Sequence, residues 1–219
     1  MRIYLTLSKN TAPVPYDYPV NLVGALHKWV GQNTLHDFMS LYSFSWLQYS
    51  ERGSPRGLNF PNGALWFISA YDPQLVKKIV GGILDDPEVA FGMRVLEITL
   101  RETPAFASGT RFSLGSPVLI KRTIENRQRH YLFTEPEADV LLTETLQRKL
   151  AKAGLPTEGI SVRFDRKAPG AKTKVSTYRG VANRVNYCPV IIEGLPEQIG
   201  FAWEVGLGNS TGIGFGSLH

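Results

Sequence analysis

A chain of 219 residues, 43% hydrophobic and 20% charged, has room for one large domain or two small ones and is too apolar for a disordered chain. No apolar run approaches the roughly 20 residues that span a bilayer, no secretion-signal pattern follows Met1, and one cysteine, Cys188, excludes an internal disulfide and a cysteine-based metal site. The expectation is a cytoplasmic protein with no membrane contact and a net charge of +5.

Residues 2–8 alternate as a half-buried strand with Ile3, Leu5 and Leu7 on one face. Residues 18–31 spell a helix whose apolar arc is Tyr18, Leu22, Leu26, Trp29 and Val30. Leu41–Leu47 reads as a second strand, and Ala64–Ala70, nearly all apolar, as a strand buried on both faces. Asp72-Pro73 opens a second helix, with a capping side chain followed by proline in the first turn, and Leu75, Val76, Ile79, Val80 and Ile83 continue it. Val95–Leu100 alternates again, with Leu96, Ile98 and Leu100 expected inward. This β-α-β-β-α-β order is the ferredoxin-like arrangement, which also serves as a scaffold for RNA-binding sheets.

Residues 101–116 read as a linker. A looser second copy follows: a hairpin from Val118–Lys121 and His130–Phe133, a helix from Pro136 to about Ala153 ended by Gly154, and strands over 160–165, 173–179 and 188–193. The fold class expected is α+β, with tandem ferredoxin-like domains over 1–104 and 112–219.

Charge is unevenly spread. Residues 1–110 hold nine Lys or Arg against nine Asp or Glu, residues 111–190 hold 15 against seven, and residues 191–219 hold none against three. Arg163, Arg166, Lys167, Lys172, Lys174, Arg179 and Arg184 crowd into 24 residues with Asp165 as the lone acid. Such a cluster attracts a polyanion.

Near the C-terminus, Gly206-Leu207-Gly208-Asn209-Ser210-Thr211-Gly212-Ile213-Gly214-Phe215-Gly216 concentrates glycine, and successive exposed N–H groups would suit phosphate oxygens. A dinucleotide fingerprint is excluded because Thr211 stands where a glycine is needed and no helix fits after it. A phosphate loop is excluded because no Lys or Arg follows Arg184. The alternating Leu207, Ile213 and Phe215 read as core.

Three stretches carry a resemblance to a known family. Gly206-Leu207-Gly208, five residues, then Gly214-Phe215-Gly216 resembles the glycine signature of the CRISPR-associated repeat-RNA processing endoribonucleases, the Cas6 family of the RAMP superfamily. Tyr18-Pro19 to Trp29, followed by Leu35-His36-Asp37 and Tyr42-Ser43-Phe44-Ser45, resembles the family's first helix and its histidine-bearing segment; Leu114-Gly115-Ser116-Pro117-Val118 resembles the opening of its second domain. The similarity spans most of the chain. It implies binding of CRISPR repeat RNA, as precursor and mature guide, in a monomer or homodimer or within an effector ribonucleoprotein. It also implies one cut per repeat without metal or other cofactor: the 2′-hydroxyl attacks the neighbouring phosphate, leaving a 2′,3′-cyclic phosphate and a 5′-hydroxyl. A non-catalytic RNA-binding subunit on the same scaffold is the alternative.

Such a cut needs a base, an acid and positive charge near the phosphate, and histidine suits proton transfer near neutral pH. His36 aligns with the family's catalytic histidine, and His27 falls where some relatives carry a catalytic tyrosine. At about 100° per residue, His27 also sits at the border of the helix's apolar stripe, suited to a cleft. His130, beside Arg127 and Arg129, suits phosphate contact, and His219 is the last residue. Some relatives place a lysine where this chain has Tyr42; Tyr42 could still donate a hydrogen bond in the catalytic set, and Lys28, Arg52 and Arg56 are candidates for the missing charge. Arg129, the 161–184 cluster, and Gly206, Gly208, Asn209, Ser210, Gly212, Gly214 and Gly216 are the expected RNA contacts.

Overall fold

The computed structural model describes residues 1–31, 39–51, 53, 55 and 57–219. The first lobe runs β1 (Arg2–Leu7), α1 (Pro19–Val30), β2 (Tyr42–Phe44), β3 (Ala64–Ala70), α2 (Pro73–Asp85), β4 (Glu88–Ala90) and β5 (Met93–Arg101). Its antiparallel sheet has the order β2-β3-β1-β5-β4. Ile3 faces Ile68 and Leu5 faces Trp66 across β1 and β3, and this face meets the buried side of α1 in one core. Asp72 caps α2 as its sequence indicates, accepting from Gln74 N–H at 2.8 Å.

The inward face of β5 departs from strict alternation. Thr6 pairs with Glu97 but Leu7 with Val95, so Leu96 is an extra residue bulged out of the ladder and exposed. Leu100 lies opposite Ile3 yet is also exposed, and Met93 and Val95 supply the buried contacts instead.

The second lobe runs β6 (Thr110–Phe112), β7 (Lys121–Ile124), β8 (Arg127–His130), α3 (Glu137–Lys152), β9 (Ser161–Phe164), β10 (Lys172–Tyr178), β11 (Val181–Tyr187), β12 (Val190–Glu193) and α4 (Pro196–Val205). Its main sheet is ordered β6-β12-β9, and a bridge between Leu114 and Leu218 brings the C-terminal segment alongside it. The two lobes are tandem ferredoxin-like units. β6 and the Leu114 bridge lie inside the stretch expected to be a linker. β7–β8 and β10–β11 are separate two-stranded hairpins, each turning through two residues of positive φ: Glu125-Asn126 and Arg179-Gly180. β11 and α4 have no counterpart in the sequence reading.

Arg2 joins the lobes. Its Nε donates to Ser69 Oγ at 2.6 Å, and its Nη2 reaches the carbonyls of Trp203 (3.0 Å) and Leu218 (2.8 Å). The guanidinium lies 4.1 Å from the Phe67 ring centre and 3.5 Å from that of Trp203. Among the described residues, no helix is long and apolar enough to cross a membrane.

Candidate functional site

The glycine run begins where α4 ends. Gly206 closes the helix, Thr211–Ile213 form one 3-10 turn, and residues 214–218 bend back through positive φ at Gly214 and Gly216 to the bridge with Leu114. The run is buried except at Asn209, Ser210 and Ile213, which are half-exposed. Its carbonyls receive donors from the protein: Lys149 Nζ at Gly206, Tyr42 hydroxyl at Gly212 (3.2 Å), Trp46 Nε1 at Gly214 (2.6 Å) and Leu207 N–H at Gly216 (2.8 Å). Some of its N–H groups are engaged too, Asn209 with the Leu119 carbonyl and Gly216 with that of Pro117.

A side chain at Gly208 would collide with the Leu119 carbonyl, and one at Gly216 with that of Leu207; both residues have positive φ. Among the described residues, the glycines of the run pack against the protein's own atoms. Gly206, Gly208 and Gly216 let backbone approach backbone at the Gly216, Leu119 and Leu207 carbonyls. Gly206, Gly212 and Gly214 make room for first-lobe side chains, Ser43, Ser40 with Tyr42, and Phe44, so that the run closes a seam between lobes. Asn209 and Ser210 are the polar residues of the run left partly at the surface, and the Asn209 side chain already accepts from Lys121 N–H at 2.8 Å. Phe215 and Leu207 are core, as their alternation suggests.

Behind the turn, Lys149 of α3 is buried. Its ammonium donates to the carbonyls of Val205 (3.0 Å) and Gly206 (3.1 Å) and to Thr211 Oγ1 (3.1 Å). Burial pushes its pKa down to about 7. The lysine fastens the negative end of α4 to the glycine run.

On the other side of the seam, α1 and β2 pack against the 3-10 turn. His27, on α1, is half-buried, the border position its helical phase indicates. His36, Arg52 and Arg56 lie outside the described residues. Tyr42 is buried, its pKa pushed up to about 12 by desolvation, and its hydroxyl donates to the Gly212 carbonyl. It therefore helps to position the turn. Lys28 is engaged by protein groups as well. Its Nζ sits 2.8 Å from Asp86 Oδ2 and donates to the Glu88 carbonyl at 2.6 Å, towards β4, the sheet edge opposite β2. The last residue, His219, is held rather than loose: its N–H donates to Ser113 O at 2.8 Å and its ring lies against Phe67.

The basic run 161–184 divides in space. Arg163 pairs with Glu193 across 3.8 Å and Arg166 with Asp139 across 2.6 Å. Lys167 lies exposed in the turn after β9. Lys172, Lys174, Arg179 and Arg184 stand exposed along β10–β11 with no ion-pair partner among the described residues. β11 touches β8, which carries Arg127 and Arg129, so two hairpins distant in sequence form one basic surface. Arg129 is paired with Glu135 at 2.9 Å. Asn186 fixes the junction, donating to the Val118 and Tyr131 carbonyls and accepting from Phe133 N–H.

The sequence profile of "CRISPR associated protein Cas6, C-terminal" matches residues 101–219, more than half of the chain. The chain belongs to the Cas6 family. No curated protein matches it in sequence. Its fold is similar to a solved CRISPR-associated protein Cas6, with TM-score 0.83 and 20% identity over 100% of this chain and 98% of that one. A Cas6-related protein from Pyrococcus furiosus superposes with TM-score 0.84 at 20% identity, covering 100% and 97%. A RAMP protein described as binding different RNA substrates gives 0.79 at 18%, covering 100% and 98%. At these identities the likeness establishes the shared fold.

For a Cas6-family chain, the residues missed from sequence are those that hold the glycine seam. Lys149 follows Thr145 by four and Leu146 by three, so its helical phase places it on the buried stripe despite its charge. Trp46 carried no comparable signal, because its partner Gly214 is 168 residues away.

Proposed function

We propose that this protein is a CRISPR repeat-RNA endoribonuclease that cuts without a metal ion. In this reading the 2′-hydroxyl attacks the adjacent phosphate, and His36 and His27 exchange the protons. The observation that carries it is the packing of α1, with His27, against Thr211–Ile213 of the glycine seam in a chain whose C-terminal half matches the Cas6 profile. Domains over 1–104 and 112–219 would form the two walls of the RNA path. The hairpin residues Lys172, Lys174, Arg179 and Arg184, with Asn209 and Ser210, would hold its backbone. Positive charge at the scissile phosphate is assigned to Arg52 or Arg56, since Lys28 is engaged by Asp86.

A second reading is a non-catalytic RNA-binding subunit. The engagement of both Tyr42 and Lys28 by protein groups favours it, as each was a candidate for the third catalytic part. Incubation of labelled repeat RNA with the protein in excess chelator separates the two. A single cut ending in a 2′,3′-cyclic phosphate and a 5′-hydroxyl is expected; retention of intact RNA supports the binder, and a chelator-sensitive cut rejects the metal-free route.

A further inference from the structure

Tyr16 and Asp17 ahead of α1, Trp46 after β2, and Lys174, Thr177 and Tyr187 of the β10–β11 hairpin line a cleft of ≈ 540 Å³ between the lobes. Pockets of about 300–1,000 Å³ take small-molecule-sized groups, so a single nucleotide fits. The aromatic walls are fixed in place. Trp46 donates its Nε1 hydrogen to the Gly214 carbonyl at 2.6 Å. Its ring meets Tyr18 nearly edge-on, with centroids 6.2 Å apart at 69°, and Tyr187 likewise, at 6.1 Å and 80°. These rings do not stack face to face on one another. Trp46 and Tyr187 are half-buried, and Tyr16 is 58% exposed.

Charge completes the site. The Lys174 ammonium lies 5.2 Å above the Tyr187 ring, and Lys172, Arg179 and Arg184 follow on the same hairpin. Aromatic faces beside a basic track are the means by which proteins hold single-stranded nucleic acid, the rings stacking on bases and the cations following phosphates. Asp17 adds selectivity, since a carboxylate repels phosphate and accepts from an amino group on a base edge. A paired strand keeps its bases inside the helix, so the occupant is an unpaired nucleotide.

We propose that this cleft is a stacking subsite for one unpaired nucleobase of the bound RNA, preferring a base with an exocyclic amino group. The proposal rests on the RNA-binding reading above and adds the residues that would recognise a base rather than the backbone.

The test uses fluorescently labelled single-stranded RNAs made only of adenosine, cytidine or uridine, and an abasic strand of equal phosphate count. The full chain should bind the adenosine and cytidine strands more tightly than the uridine strand, and the abasic strand least. Tyr187→Ala or Tyr16→Ala should weaken adenosine binding about 5- to 100-fold while leaving abasic binding nearly unchanged. Asp17→Asn should narrow the gap to uridine. Melting curves report whether each variant folds; Tyr16→Ala, at an exposed position, keeps the test alive if Tyr187→Ala unfolds. A folded Tyr16→Ala protein that binds adenosine strands as wild type, or loses abasic and adenosine strands alike, overturns the subsite. Equal binding of uridine and adenosine strands by wild type overturns the amino-group preference. Wild-type protein that binds none of these strands overturns the RNA reading itself.

Discussion

Lys149 is held by oxygen atoms that carry no full charge: two carbonyls at the end of α4 and the Thr211 hydroxyl. Desolvation lowers its pKa from the ordinary 10.5 to about 7 in the folded protein. The native state therefore binds fewer protons than the unfolded chain between those values, and stability rises with pH across that window. The contribution is complete above pH 10.5 and is lost as pH falls to about 7. Comparing urea midpoints of wild type and Lys149→Met at pH 10 and pH 7 checks this: the variant should gain on wild type at the lower pH. A constant difference would mean that the amine keeps its ordinary pKa. The charge of Lys149 is plain in the sequence but its burial is not, because Arg148 beside it is exposed and only helical phase separates them. His27 is the opposite case, since its half-buried position follows directly from the phase of α1.

The elements that could be read from sequence are those whose pattern is local. α1, α2 and β3 each carry their own period or cap, and β3 spans Ala64–Ala70 as its apolar run indicates. α4 is hidden because it is buried on every side from Gln198 to Val205, so no amphipathic stripe marks it. β11 is polar enough to pass for a loop, and its pairing with β10 is set by the Arg179-Gly180 turn. The glycine run stands out in the sequence but its packing does not, since the donors it meets come from α3, from β2 and from Trp46 just after β2. Its packing predicts that Gly216→Ala, which meets the Leu207 carbonyl at positive φ, lowers stability by about 2–4 kcal/mol in chemical denaturation. Wild-type stability in that variant would show that the seam can relax. The hairpin makes a separate prediction. Lys172→Glu with Lys174→Glu should weaken binding of repeat RNA and flatten the dependence of log affinity on log salt by about 1.4, at about 0.7 per lost phosphate contact on a single strand. An unchanged slope would place the RNA away from β10–β11.

At the scale of the whole molecule, two ferredoxin-like lobes are joined through the open face of the first sheet. Arg2 is central to that joint, and burial lowers its pKa to about 10, so it stays charged at neutral pH. The glycine seam lies along the same junction and sets α1 beside the 3-10 turn. The order of the first lobe is legible because its elements carry local patterns. That of the second is legible only in part, since α4 and β11 leave no periodic signal; the junction depends on side chains some 200 residues apart. In the proposed reaction, proton transfer from the first lobe cuts RNA held against this junction. Single-turnover cleavage of repeat RNA by His36→Ala with His27→Ala tests it most directly. The expected rate is about 10²–10⁴-fold slower with RNA affinity nearly intact; full-rate cleavage by the double variant would overturn the assignment of proton transfer to these histidines.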